Sequence, residues 1–141
     1  MIILDTNIIS ELMREEPHEN VKEWIAAQKP TNLALTTIAI AEIQRGLARL
    51  PKGKRRNTLE INFSAFITDA FGGRIFSFDE EAAYIYGVMA AKLEKDGFNT
   101  DVVDLMIAAI VKSQRASIAT RNTKDFEGCG IKIINPWESN K

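Results

Sequence analysis

Three carboxylates stand where the chain could bring them together: Asp5, Glu42 and Asp104. Asp5 follows the apolar run Ile2-Ile3-Leu4 and opens Asp5-Thr6-Asn7. Such a run reads as a short buried strand, so Asp5 falls at its carboxyl end. Two uses compete for it. One is a cap at a strand-to-helix turn, which Asp, Thr and Asn all suit. The other is a metal-binding carboxylate that Thr6 and Asn7 orient by hydrogen bonds. Asp104 falls at the third position of a helix capped by Asp101, where a carboxylate suits the helix dipole. The sequence after it, Leu105-Met106-Ile107-Ala108-Ala109-Ile110, is apolar nearly all round, as in a helix buried on most sides. A carboxylate entering such surroundings needs a partner or a cation. At about 100° per residue, Glu42 lies off the stripe Ile40/Ile43/Leu47/Leu50 and shares a face with Arg45 and Arg49. It is either a solvated acid with an i,i+3 partner or an acid aimed at the strand ends, with both arginines placed for phosphate. Asn122 and Asp125, in the loop Thr120-Arg121-Asn122-Thr123-Lys124-Asp125, can each bind a cation or its water, though such a loop is more often a plain turn.

Clustered carboxylates raise one another's pKa values unless a cation neutralises them. Mg²⁺ prefers one or two carboxylates plus waters and phosphate oxygens. A bound ion polarises a phosphodiester and makes a water easier to deprotonate. No Ser, Cys or His nucleophile is then required. That suits a chain with one histidine, His18, read as a surface residue after Pro17, and one cysteine, Cys129. Neither an intrachain disulfide nor a Cys/His zinc set can be built from them.

The elements that must position these acids alternate. Ile2-Ile3-Leu4, Leu33-Ala34-Leu35, Ile75-Phe76, Ser117-Ile118-Ala119 and Ile131-Lys132-Ile133-Ile134 read as strands. Helical spacing appears at Val21/Trp24/Ile25/Gln28, along the Ile40 stripe, and from about Arg55 to Ala70. Asp79 reads as the N-cap of a helix reaching Lys95 and ended by Gly97, and Asp101 as the cap of a helix over about 102–114. The alternation predicts an α/β fold with a mainly parallel five-stranded sheet. In such sheets ligands bind beyond the carboxyl ends of the strands.

The 141 residues favour one domain, 1–141. The 45% hydrophobic and 26% charged content exclude a disordered chain. The net charge of −1 lends no support to a nucleic-acid partner, but local charge outweighs the sum. Acids gather at Glu11, Glu15, Glu16, Glu19 and Glu23, and bases without acids at Arg45, Arg49, Lys52, Lys54, Arg55 and Arg56. The basic run is either a solvated helix end or a phosphate-tracking edge. The start of the chain reads as no signal peptide, the longest apolar run is too short for a membrane span, and a reducing cytoplasm is expected.

The chain resembles PIN-domain ribonucleases, and among them the VapC toxins near the FitB branch. The likeness rests on Ile3-Leu4-Asp5-Thr6-Asn7-Ile8-Ile9-Ser10-Glu11, Thr37-Ile38-Ala39-Ile40-Ala41-Glu42-Ile43-Gln44-Arg45-Gly46, and Phe78-Asp79-Glu80-Glu81. It continues through Asp104-Leu105-Met106-Ile107, Ala119-Thr120-Arg121-Asn122 and Asn135-Pro136-Trp137. The resemblance implies a three-layer α/β/α sandwich and Mg²⁺- or Mn²⁺-dependent endonucleolytic cleavage of RNA. It implies an acidic site of Asp5, Glu42 and Asp104, with Thr6 and Thr120 as polar supports. It implies a homodimer and a cognate VapB- or FitA-like antitoxin through which DNA is bound. In the FitB branch a fourth acid stands where this chain has Asn122. The amide implies a weaker second metal site, with either Asp125 in its place or a water-bridged ion at Asn122.

Other classes fit less well. A haloacid-dehalogenase-type phosphatase wants an acid two residues after Asp5, where Asn7 stands. A receiver domain wants adjacent early acids and a late Lys. A PIN fold that binds RNA or protein without cutting is the remaining alternative. Asn122→Asp is expected to tighten Mn²⁺ binding by restoring a charge; unchanged or weaker affinity by calorimetry counts against that.

Overall fold

The computed structural model describes residues 1–138, so the last three positions of the expected domain lie outside the described residues. Five strands form one sheet in the order β3-β2-β1-β4-β5, with every neighbouring pair parallel. They are β1 (Ile2–Leu4), β2 (Leu33–Thr36), β3 (Ile75–Phe76), β4 (Ser117–Ala119) and β5 (Lys132–Ile134). The helices are α1 (Thr6–Leu12), α2 (Glu19–Ala27), α3 (Thr37–Ala48), α4 (Lys54–Phe71), α5 (Glu80–Lys95) and α6 (Val102–Ser113).

Strand side chains alternate between faces, and each face meets its own helices. Ile3, Ala34 and Ile118 pack with α5 and α6. Leu4, Leu33, Leu35 and Ala119 pack with α1, α2, α3 and α4. The result is the expected α/β/α sandwich. Burial on both sides is why these strands are short continuous apolar runs. α6 buries Leu105, Ile107, Ala108, Ala109, Ile110 and Val111, as its all-round apolar sequence predicts.

The helix ends follow local chemistry. Asp79 accepts from Ala82 N at 2.9 Å and starts α5. Gly97 ends it at φ 82°, with Phe98 N donating to Leu93 O and Gly97 N to Glu94 O. That pairing is the Schellman motif, which places glycine in the left-handed region. The stripe on α3 is rotated from expectation: Ala39, Ile43 and Leu47 are buried, while Ile40 and Leu50 are half-buried. Alanine lets the helix lie closer to the sheet than the larger Ile40 would.

The order places a topological switch between β1 and β4, where the chain leaves one side of β1 and resumes on the other. Asp5 and Thr120 follow those two strands directly. Asp5 N donates to Ala119 O at 2.9 Å and Thr120 N to Ile134 O at 2.9 Å, so ladder-type bonds hold both beyond the strand ends. Thr36 does comparable work at β2. Fully buried, its hydroxyl accepts from Ala39 N at 3.0 Å and fixes the start of α3, the helix that carries Glu42. Thr36→Val should therefore cost about 1–2 kcal/mol, the price of a lost cap on a buried amide. Urea unfolding checks this; an unchanged midpoint would show that the cap does not secure α3.

Candidate active site

Asp5, Glu42, Asp104 and Asn122 line one cleft of about 380 Å³ together with Thr6, Asn7 and Arg121. The acids come from three separate elements: the end of β1, the middle of α3 and the first turn of α6. Asp5 is the most constrained, with 5% of its surface exposed. Thr6 N donates to its Oδ1 at 2.8 Å. Thr120 Oγ1 donates to its Oδ2 at 2.8 Å, and Asn7 Nδ2 to the same oxygen at 3.2 Å. Asp5 is thus both the cap of α1 and an oriented acid of the cleft, so the two competing uses coexist. Thr120 Oγ1 also accepts from Asn122 N at 3.0 Å, which ties the loop to the same centre.

Glu42 is exposed on α3, and Thr6 Oγ1 donates to its Oε1 at 2.8 Å. Asp104 is half-buried; its backbone N donates to Asp101 Oδ2 at 3.4 Å. Its carboxyl has no hydrogen-bond or ion-pair partner among the described residues.

The electrostatics are one-sided. Burial pushes the Asp5 carboxyl above its ordinary value, against the Thr120 and Thr6 hydrogen bonds, and the charges of Glu42 and Asp125 push it further. Burial, then the charges of Asp5, Asp125, Asp101 and Glu42, raise Asp104 to about 7. The charges that contribute most to both shifts are those of neighbouring carboxylates. Oxygen donors bearing uncompensated negative charge suit a hard divalent cation.

Glu42 does not join Asp5 and Asp104 in a ready three-ligand set: no such group is assembled among the described residues. Thr6 holds Glu42 by a hydrogen bond, and donors that do not close into a three-ligand set fit an ion that retains several waters, as Mg²⁺ does. Asp125 is exposed and does not line the cleft, although its charge reaches Asp5 and Asp104. Arg45 and Arg49 are exposed and also lie off the cleft; Arg49 is already the C-cap of α3.

The cleft's bases come from elsewhere. Arg14 and Arg121 line it, and Lys54 and Arg55 line a groove of about 1400 Å³ that shares Thr6, Ser10, Arg14 and Glu42 with it. Of the basic run only Lys54 and Arg55 line that groove, beside Glu15 and Glu16, and none lines the cleft itself. Glu11 is a further cleft residue that sequence reading counted only as charge. It is buried, pairs with Arg14 at 2.9 Å and accepts from His18 N at 3.0 Å. Its spacing of three from Arg14 was the available signal. His18 is exposed and caps α2, and Cys129 is buried, with burial pushing its thiol up. Neither lines the cleft.

A family model for the PIN domain matches residues 2–129. The chain belongs to the PIN-domain family. Within that family it is similar to the plasmid stability protein StbB of Pseudomonas syringae pv. tomato, 41% identical over 99% of this chain and 100% of that protein. The VapC ribonuclease Y4jK of Sinorhizobium fredii is 41% identical over 98% of this chain and 99% of its own. Toxin FitB of Neisseria gonorrhoeae is 36% identical over 97% and 99%. The crystal structure of FitAcB from that organism matches with a TM-score of 0.93 and 36% identity, covering 99% of this chain and 100% of that one. A structure of FitAB bound to an IR36 DNA fragment matches with a TM-score of 0.94 at 35% identity, over 100% and 99%.

The raised Asp104 carboxyl has a consequence for the metal-free protein. The folded state holds that proton more tightly than the unfolded chain does. Its contribution to stability is therefore full below the ordinary carboxyl value of 3.8 and is lost as pH rises through about 7. Urea midpoints in a chelating buffer should fall across that window, and less so in Asp104→Asn. Equal slopes for the two proteins would show that Asp104 does not carry this charge conflict.

Proposed function

We propose that this protein is a Mg²⁺- or Mn²⁺-dependent endoribonuclease and the toxin of a toxin–antitoxin pair. The observation that carries the reading is the convergence of Asp5, Glu42 and Asp104 on one cleft, where burial and neighbouring carboxylates raise the Asp5 and Asp104 carboxyls. Membership of the PIN family and likeness to a VapC ribonuclease and to Toxin FitB support it.

Asp5 and Asp104 would hold the metal, and Glu42 and Asn122 would reach it through water. When bound, a divalent cation supplies polarisation of the phosphodiester and a water that is easier to deprotonate. The remaining work belongs to the chain. Thr120 and Asn7 keep the Asp5 carboxylate turned toward the cleft, and Thr6 does the same for Glu42. Arg14, Lys54 and Arg55 give an RNA strand cationic contacts along the adjoining groove.

An antitoxin of the VapB or FitA kind belongs to the same reading, with DNA reached only through it. The structures of FitAcB and of FitAB on DNA support this partner. Tyr84 and Val88, one turn apart on α5 and 73% and 75% exposed, give the expected homodimer an apolar patch. The described residues contain no helix long and apolar enough to cross a membrane.

Asp5→Asn and Asp104→Asn should each abolish metal-dependent RNA cleavage while leaving the fold intact by circular dichroism. Thr120→Val should cost about 10–100-fold in metal affinity or rate, since it orients a ligand. Sequencing RNA ends after brief induction in cells, with Asp5→Asn as control, reads both cleavage and target. Growth arrest and new RNA ends in wild type alone fit the proposal. A folded Asp104→Asn protein with unaltered cleavage would remove that residue, and RNA binding without cutting would make the protein a binding module.

A further inference from the structure

Arg121 and Trp137 line the acid cleft but have no part in the chemistry above. The Arg121 guanidinium lies over the Trp137 ring, 5.4 Å from its centroid. Each residue is fastened without the other. Arg121 N donates to Asn7 Oδ1 at 3.1 Å, and that same Asn7 donates to Asp5. Trp137 N donates to Asn135 Oδ1 at 3.0 Å, and Trp137 O accepts from Asn20 Nδ2 at 2.7 Å. The half-buried Trp137 also packs against the core on the α1–α4 face. The stack is therefore not needed to anchor either segment.

The Arg121 side chain is also not spent on the acids around it. Among the described residues its guanidinium makes no hydrogen bond or ion pair. Glu11 is matched by Arg14 instead. A guanidinium is planar, stacks on aromatic faces and offers paired donors that match phosphate oxygens. Placed over the Trp137 ring at the cleft's edge, it keeps its donors for a ligand.

We propose that the Arg121–Trp137 stack is a phosphate-gripping subsite for the RNA strand, set in register with the acids through Asn7. This rests on reading the cleft as the RNA-cleaving site. Arg121 touches the substrate phosphate; Trp137 is a positioning residue that acts through Arg121.

The test is fluorescence anisotropy with a short labelled single-stranded RNA of mixed sequence. Ca²⁺ replaces Mg²⁺, a gel verifies that the RNA stays intact, and the salt concentration is varied. Arg121→Gln should raise Kd about tenfold and reduce the slope of log affinity against log salt by about 0.7, one lost phosphate contact. Arg121→Lys should keep the slope while losing affinity, because an ammonium is a point charge without the planar fork. Trp137→Leu should raise Kd with the slope kept, and Trp137→Phe should restore most of the affinity. In Mg²⁺-supported cleavage these variants should raise KM and leave kcat near wild type. Wild-type Kd and slope in Arg121→Gln would overturn the subsite while leaving the ribonuclease reading intact. A lowered melting temperature with unchanged RNA binding would also overturn it, making the stack a structural latch. A wild-type protein that binds no RNA would overturn the ribonuclease reading and the subsite with it.

Discussion

Like charges do not gather inside a fold unless something holds them there, and the carboxyl ends of β1 and β4 lie beside three acids. Asp5 is buried, Asp104 enters the first turn of a helix buried on most sides, and Glu42 lines the same cleft from α3. Burial and mutual repulsion both act to protonate Asp5 and Asp104. In a purely structural protein such an arrangement would be a standing cost. It fits the proposed role of a receptor for positive charge.

That scaffold is economical. The strand order puts the switch point between β1 and β4, so the side chains that follow those strands face each other without any long loop. One hydroxyl, Thr120 Oγ1, then donates to Asp5 and accepts from Asn122 N and Asn7 Nδ2. Asn7 links Asp5, Thr120 and the backbone of Arg121. Five residues, Asp5, Asn7, Thr120, Arg121 and Asn122, thus form a connected polar network at the sheet edge. Two apolar clusters, one on each face, hold the strands from which it hangs.

The strands, α5, α6 and the parallel α/β arrangement were legible because burial on both sheet faces leaves unbroken apolar runs, and because Asp79, Gly97 and Asp101 mark helix ends by local chemistry; the three-layer sandwich was implied by the family resemblance. Asp5, Glu42 and Asp104 were legible as acids at one sheet edge, two by position after a strand or in a first turn, one by its place off an apolar stripe. What was not legible depends on where neighbouring elements lie. The angular position of Arg45 and Arg49 on α3 puts them near Glu42 on a wheel, but not in the cleft, which α1 and α6 bound from other sides. Lys54 and Arg55 reach the groove because the chain turns between α3 and α4, and no period in the sequence encodes that turn. Glu11 lay hidden in an acidic stretch because its burial is set by tertiary contacts. The Arg121–Trp137 stack joins residues sixteen apart across β5, a distance local patterns do not span.

The most direct test of the central claim is anomalous diffraction from a crystal of the protein soaked in Mn²⁺. The account predicts a peak in the cleft, ligated by Asp5 and Asp104, with Glu42 reached through water. A cleft without a peak at saturating Mn²⁺, or a peak bound elsewhere on the molecule, would contradict it.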